Sequence, residues 1–151
     1  MTYSIETILQ GIASVLSQLK YPIYVSNRQQ GVKTPCFFIS LIPGSDKDEI
    51  DDRVFVDFGL DIVFLQDTNI INAMDGIYAV LEFLQENLRM IPYSQDEETT
   101  YVHTYDRSYQ LEDMDLHYQF HLKNRMHLAK NETLMQALEE LNYEIKVKQS
   151  N

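Results

Sequence analysis

His103, His117 and His121 are the residues whose type and spacing come nearest to a chemical site. His117 and His121 are four apart, with Gln119 between them. On a strand both therefore share one face, and His103 could lie across a hairpin from them. A zinc site needs three or four converging nitrogen, sulfur or carboxylate ligands. No spaced cysteines and no partner pattern of Asp or Glu completes such a shell, and the opposite parity (Leu116, Tyr118, Phe120, Leu122) is uniformly apolar. The spacing predicts histidines on the solvent face of a half-buried strand, with no metal. Cys36 would be a candidate nucleophile beside a base, but it heads the apolar run CFFISLI, where a thiol behaves as a small hydrophobe. Carboxylates are numerous, yet a glycosidase-like pair needs a separation across a cleft that spacing along the chain does not supply. The chain has five glycines and no phosphate cradle, Gly-x-Ser-x-Gly elbow or kinase-type set. Asn131-Glu132-Thr133 fits a glycosylation sequon, but capping of a helix explains it better. Residue chemistry thus predicts no enzyme and no cofactor.

The element that must organise these side chains is Arg53 to Gln66, RVFVDFGLDIVFLQ. Val54, Val56, Phe58, Leu60, Ile62 and Phe64 fall on one parity, which predicts a core strand, with Val56, Phe58 and Leu60 packed against helices. The other parity, Phe55, Asp57, Gly59, Asp61, Val63 and Leu65, mixes carboxylates with apolar groups and predicts a face only partly covered. Before it, Ser4 caps an amphipathic helix carrying Ile5, Ile8, Leu9, Ile12, Val15, Leu16 and Leu19, which stops near Lys20 because Pro22 pushes Tyr21 out of the helical region. Ile23 to Ser26 reads as a short strand, Asn27 to Pro35 as a loop, and Cys36 to Ile42 as a strand ending at Pro43-Gly44. SDKDEIDD then reads as a solvated hairpin loop with five carboxylates, or as an acidic partner contact.

Asp67 or Thr68 caps a second helix to about Asn87, with a stripe of Ile70, Met74, Ile77, Leu81, Leu84 and Leu88. Gly76 inside it points to a close packing contact. Met90 to Tyr93 reads as an edge strand, Thr99 to Tyr109 and Leu116 to Leu122 as a hairpin joined by Gln110 to Asp115. Asn131 or Thr133 opens a short helix with Leu134, Leu138 and Leu141 inward, followed by a strand through Tyr143, Ile145 and Val147. The expected fold is α+β: a mixed, mostly antiparallel sheet packed against two long helices plus a short C-terminal helix, in one domain spanning 1–151.

Composition bounds the partners. With 151 residues, 44% hydrophobic and 23% charged, the chain is long enough for a core without metals or disulfides. Twenty-three acidic against 12 basic residues give a formal charge of −11, which repels phosphate backbones and anionic membrane surfaces. Tight nucleic-acid binding and membrane binding are therefore not expected. One cysteine and no apolar N-terminal run predict a protein made and kept in a cytosol.

Gln30-Gly31-Val32-Lys33-Thr34-Pro35-Cys36-Phe37-Phe38-Ile39, taken with the helix before it and the strand Asp115-Leu116-His117-Tyr118-Gln119-Phe120, resembles a phage tail terminator family of prophages and phage-tail-like particles. The likeness is structural, a Gly-Pro loop feeding an aromatic strand, and carries no catalytic residues. It implies a protomer that joins a six-fold ring on the head-proximal end of the tail tube, ends tube polymerisation, and in contractile particles touches the last sheath layer or the head–tail connector. Host cytoplasm during assembly and the virion or tail-like particle afterwards are the implied locations. Within that reading the candidate contact residues are Asp46, Asp48, Glu49, Asp51 and Asp52 in the acidic loop, together with Phe55, Val63 and Leu65. Two other classes stay open on the residues alone: a small cytosolic adaptor with a sheet-edge recognition surface, and a metal-dependent enzyme using His103, His117 and His121.

Overall fold

The structure, a computed structural model, describes residues 4–25 and 32–127. Helix α1 (Ile5–Leu16) starts where the Ser4 hydroxyl accepts the Thr7 N–H at 3.2 Å, and it buries Ile8, Gly11, Ile12, Val15 and Leu16. A 3₁₀ turn, Ser17–Leu19, closes on Lys20 in the left-handed region, so the chain turns before Pro22 as expected. Strand β1 (Ile23–Val25) pairs in parallel with β2 (Cys36–Asp48). β2 pairs antiparallel with β3 (Arg53–Leu65), and β3 with β7 (Asp115–His127). Helix α2 (Ala73–Asn87) follows β3, then β4 (Met90–Gln95), β5 (Glu98–His103) and β6 (Tyr105–Glu112). The main sheet has the order β1-β2-β3-β7-β6, and β4 with β5 forms a separate two-stranded hairpin.

Parity decides what lies inside. Phe37, Ile39, Leu60, Ile62, Phe64, Leu116, Tyr118, Phe120 and Leu122 share one face and meet α1, α2 and the β4–β5 hairpin in a single cluster. Leu60 and Ile62 are fully buried, whereas Val56 and Phe58, further along the same face, are only half-buried. Val54, at the far end of the same face, is buried again at 6%, so cover along the long strands is uneven. Gly11 lets α1 lie against the Pro92 carbonyl of β4, a place a Cβ would fill, and the Ser4 N–H donates to the Tyr93 hydroxyl at 3.1 Å.

Several expectations need correction. The fold is dominated by sheet, with 52% of the described residues in strands, and its α-helices are short, 12 and 15 residues. It is not a sheet packed against two long helices. α2 begins at Ala73 because Asp67 is used otherwise: its carboxylate accepts the Asn69 N–H, while the Gln66 side chain takes the Asp67 N–H and donates to the Ala73 carbonyl. Ile70 accordingly lies outside the helix, exposed. The expected C-terminal helix and final strand fall outside the described residues.

Strands also run further than turn-forming residues suggested. Pro43-Gly44 does not end β2 but forms a bulge between Ile42 and Ser45, after which the ladder continues to Asp48 opposite Val54. A bulge tolerates a proline's missing N–H, and Gly44 lets the two backbones cross where a Cβ would meet the Asp57 carbonyl. The expected loop Gln110 to Asp115 shrinks to Asp113-Met114, and the expected strand Thr99 to Tyr109 is broken at Thr104 into β5 and β6. Asp96-Glu97 and Asp113-Met114 are two-residue turns with both residues at positive φ, the geometry that matches strand twist. Neither contains glycine, which is why the sequence hid them.

Candidate functional site

Three constellations stand out, each positioned by the β3–β7 register. The first is a pair of His–Asp contacts on the face opposite the helices. His117 sits opposite Val63 and His121 opposite Gly59, so each ring reaches diagonally to a carboxylate on β3. His117 Nδ1 lies 3.0 Å from Asp61 Oδ2, and His121 Nδ1 lies 2.8 Å from Asp57 Oδ1. A carboxylate only accepts, so the proton sits on Nδ1 in both rings. With 25% and 33% of their side chains exposed, these histidines lie on the face away from the core, each held there by a carboxylate that the spacing of the histidines did not reveal. A Cβ at Gly59 would come within 3.0 Å of Ile42 Cβ, while the His121 imidazole at 3.4 Å would be in ordinary contact. The signal was present: Asp57 and Asp61 repeat the spacing of His117 and His121 on antiparallel strands. His103 does not join them, because it ends β5 in the separate hairpin, opposite Met90. Among the described residues no three His, Cys, Asp or Glu side chains converge as metal ligands.

Cys36 is fully buried, and burial, helped by the nearby Asp115 charge, pushes its thiol above the ordinary value. That suppresses the thiolate a nucleophile requires.

The second constellation is an arm. β2 from Leu41, β3 back to Arg53 and the end of β7 continue as a paired ladder, so the expected solvated loop Ser45 to Asp52 is strand as far as Asp48. The physical reason is the bulge, which keeps Ser45 to Asp48 in register. Only Glu49 to Asp52 turn, closed by the Glu49 N–H donating to the Arg53 carbonyl at 2.8 Å. Register splits the candidate contact residues into two groups. Asp46 and Asp48 stand opposite Val56 and Val54, on the helix-side face, whereas Phe55, Val63 and Leu65 occupy the other face. Arg125 joins Glu49 to Phe55: its Nε donates to Glu49 Oε1 at 2.9 Å, and its guanidinium lies 5.8 Å from the Phe55 ring centre. Asp51 is exposed at the tip, with Asp52 beside it, both at positive φ.

The third was not visible in the sequence. Where α2 ends, Thr104 is buried, and its hydroxyl donates to the Leu88 carbonyl at 2.6 Å. Its N–H donates to the Arg89 carbonyl at 3.0 Å. Arg107 Nη1 in turn donates to the Thr104 carbonyl at 2.8 Å and to its hydroxyl oxygen at 3.1 Å. Thr104 thereby ties the break between β5 and β6 to the helix end and brings Arg107 beside Arg89. With Gln85, Ser108, Tyr109 and Tyr118 they line a cleft of about 390 Å³. Both guanidinium groups lie near the Tyr118 hydroxyl, where they oppose the upward push that burial gives it. Among the described residues neither arginine has a carboxylate within ion-pair distance. By contrast Lys123, at the β6 bulge, holds Asp106 at 2.7 Å and depresses its carboxyl below the usual range, while its own ammonium is raised.

The family model for phage tail terminator protein matches residues 7–134, and the chain belongs to that family. It is a structural protein of the phage tail with a tail-terminating role. No curated protein matches the chain. No helix among the described residues is long and apolar enough to cross a membrane.

Proposed function

We propose that this protein ends tail-tube growth as a head-to-tail ring of six copies seated on the head-proximal end of the tube, where it also meets sheath or connector. The observation that carries the ring is the inequality of the sheet's two margins. Among the described residues one margin is β1, three residues in parallel pairing, and the other is β6, eight residues exposed along their whole length. A two-fold dimer presents the same patch twice, whereas unlike patches on one subunit propagate head to tail and close when the rotation allows. Six-fold closure is carried by the family resemblance.

The charge suits the position. Net −11 per chain makes a ring that repels phosphate, so DNA passes an acidic lumen without adhering. Assembly takes place in the host cytoplasm, and the finished ring stays with the virion or tail-like particle. The test is to polymerise tube protein with and without this chain and measure tube lengths by electron microscopy. Capped tubes of limited length, each with a six-fold ring at one end, are expected. Tubes of unchanged length distribution with no density at either end would overturn the proposal.

A further inference from the structure

We propose that the acidic β2–β3 arm of one subunit docks into the Arg89–Arg107 cleft of the next, and that this contact joins the ring. The inference rests on the ring proposed above and names the surfaces that build it. The cleft calls for an anion. Arg107 spends one guanidinium nitrogen on Thr104 and keeps its remaining donors, and Arg89 makes no side-chain hydrogen bond or ion pair among the described residues. Two unpaired guanidinium groups beside a tyrosine hydroxyl and Gln85 match a carboxylate, which guanidinium binds in a two-pronged fashion. In a chain of 23 acidic and 12 basic residues, such a concentration of unpaired positive charge is a local exception.

The arm supplies what the cleft lacks. Among the described residues Asp46, Asp48 and Asp51 have no basic group within ion-pair distance, and all three are exposed. Asp46 and Asp48 alternate on one face of a paired strand, so their carboxylates are presented about 7 Å apart on a preformed ladder. From Leu41 to Asp48 the strand runs roughly 20 Å, at about 3.3 Å per residue, and carries Asp46 and Asp48 at its far end.

A subunit does not fill its own cleft. The arm tip lies level with His127 of β7, whereas the cleft lies level with Tyr118, nine residues along the same strand and about 30 Å away. Arm and cleft are also rooted on opposite sides of β7, so the two patches are unlike and well separated, as a head-to-tail contact requires.

The experiment uses full-length chains in mass photometry and sedimentation velocity, alongside the tube-length assay. One variant carries R89E and R107E, so that arm and cleft are both acidic. The other carries D46K, D48K and D51K, so that both are basic. Each alone should form rings at least about tenfold more weakly than the wild type, while an equal mixture should recover them, because every arm then faces a cleft of opposite sign. Wild-type rings should weaken as salt is raised. Circular dichroism checks folding, and R89E alone, which leaves the Thr104 bonds to Arg107 intact, serves if the double variant unfolds. Folded R89E that forms rings as readily as the wild type would overturn the docking and leave the ring standing. A wild type that stays monomeric in solution and on tubes would overturn the ring itself and the docking with it. Rings that persist in R89E and R107E but no longer cap tubes would assign the cleft to an acidic segment of the tube protein, which also overturns the proposal.

Discussion

Replacing Gly76 with alanine should destabilise the protein, although in an ordinary helix the change is favourable. In a helix interior Ala is better than Gly by about 1 kcal/mol. Here, however, a Cβ on Gly76 would lie 2.5 Å from Gln66 Nε2, closer than real Cβ contacts come. The amide is the far end of a flexible side chain, but it is not free to leave. Gln66 is 7% exposed, its Nε2 donates to the Ala73 carbonyl at 2.9 Å, and its Oε1 accepts the Asp67 N–H at 2.9 Å. Displacing it removes two hydrogen bonds worth about 1 kcal/mol each and strands a buried amide at a further cost of about 1 kcal/mol or more. Set against the helix gain, Gly76→Ala should cost about 2 kcal/mol, a fall in Tm of roughly 4–8 °C for a domain of this size. In a Gln66→Ala background the space is empty, so the same substitution should instead stabilise by about 1 kcal/mol. Urea melts of the four chains measure a coupling of about 3 kcal/mol between neighbouring sites. A higher Tm for Gly76→Ala in the otherwise unaltered chain would refute the reasoning, by showing that Gln66 moves aside at little cost.

Phe64→Ala should cost about 3–5 kcal/mol because the ring is fully buried, whereas half-buried Phe58→Ala should cost about half as much, both read from denaturant midpoints. Glu97→Gly should raise stability by about 0.5–1 kcal/mol, since the exposed side chain holds a left-handed backbone in the β4–β5 turn that glycine adopts without strain. Cys36 should react with an aromatic disulfide reagent at pH 8 far more slowly in the native protein than in denaturant, because burial both shields the thiol and raises its pKa. Asp106→Asn should lower stability at pH 7 and have less effect as pH falls below about 3.8: a depressed carboxyl stabilises the fold above its unfolded pKa and loses that contribution as it protonates.

Alternation along Arg53 to Gln66 and Leu116 to Leu122, and the spacing from Ile8 to Leu16, were enough to predict which face turns to the core, though not that Val56 and Phe58 on it are only half-buried, because periodicity is a local property and the extent of cover is not. Ser4 as a cap and Gly76 as a close contact were equally local, and the family pattern was legible for the same reason. Turn chemistry misled where the protein uses aspartate and neighbours at positive φ in place of glycine, and where Pro43-Gly44 makes a bulge and not an end, so strands proved longer and helices shorter than expected. Only the tertiary structure could pair Asp57 with His121 and Asp61 with His117, since that pairing depends on strand register between segments about 60 residues apart. The Arg89–Arg107 cleft is less legible still. It exists because one buried threonine joins the end of a helix to a break between two strands, and no spacing along the chain encodes that meeting.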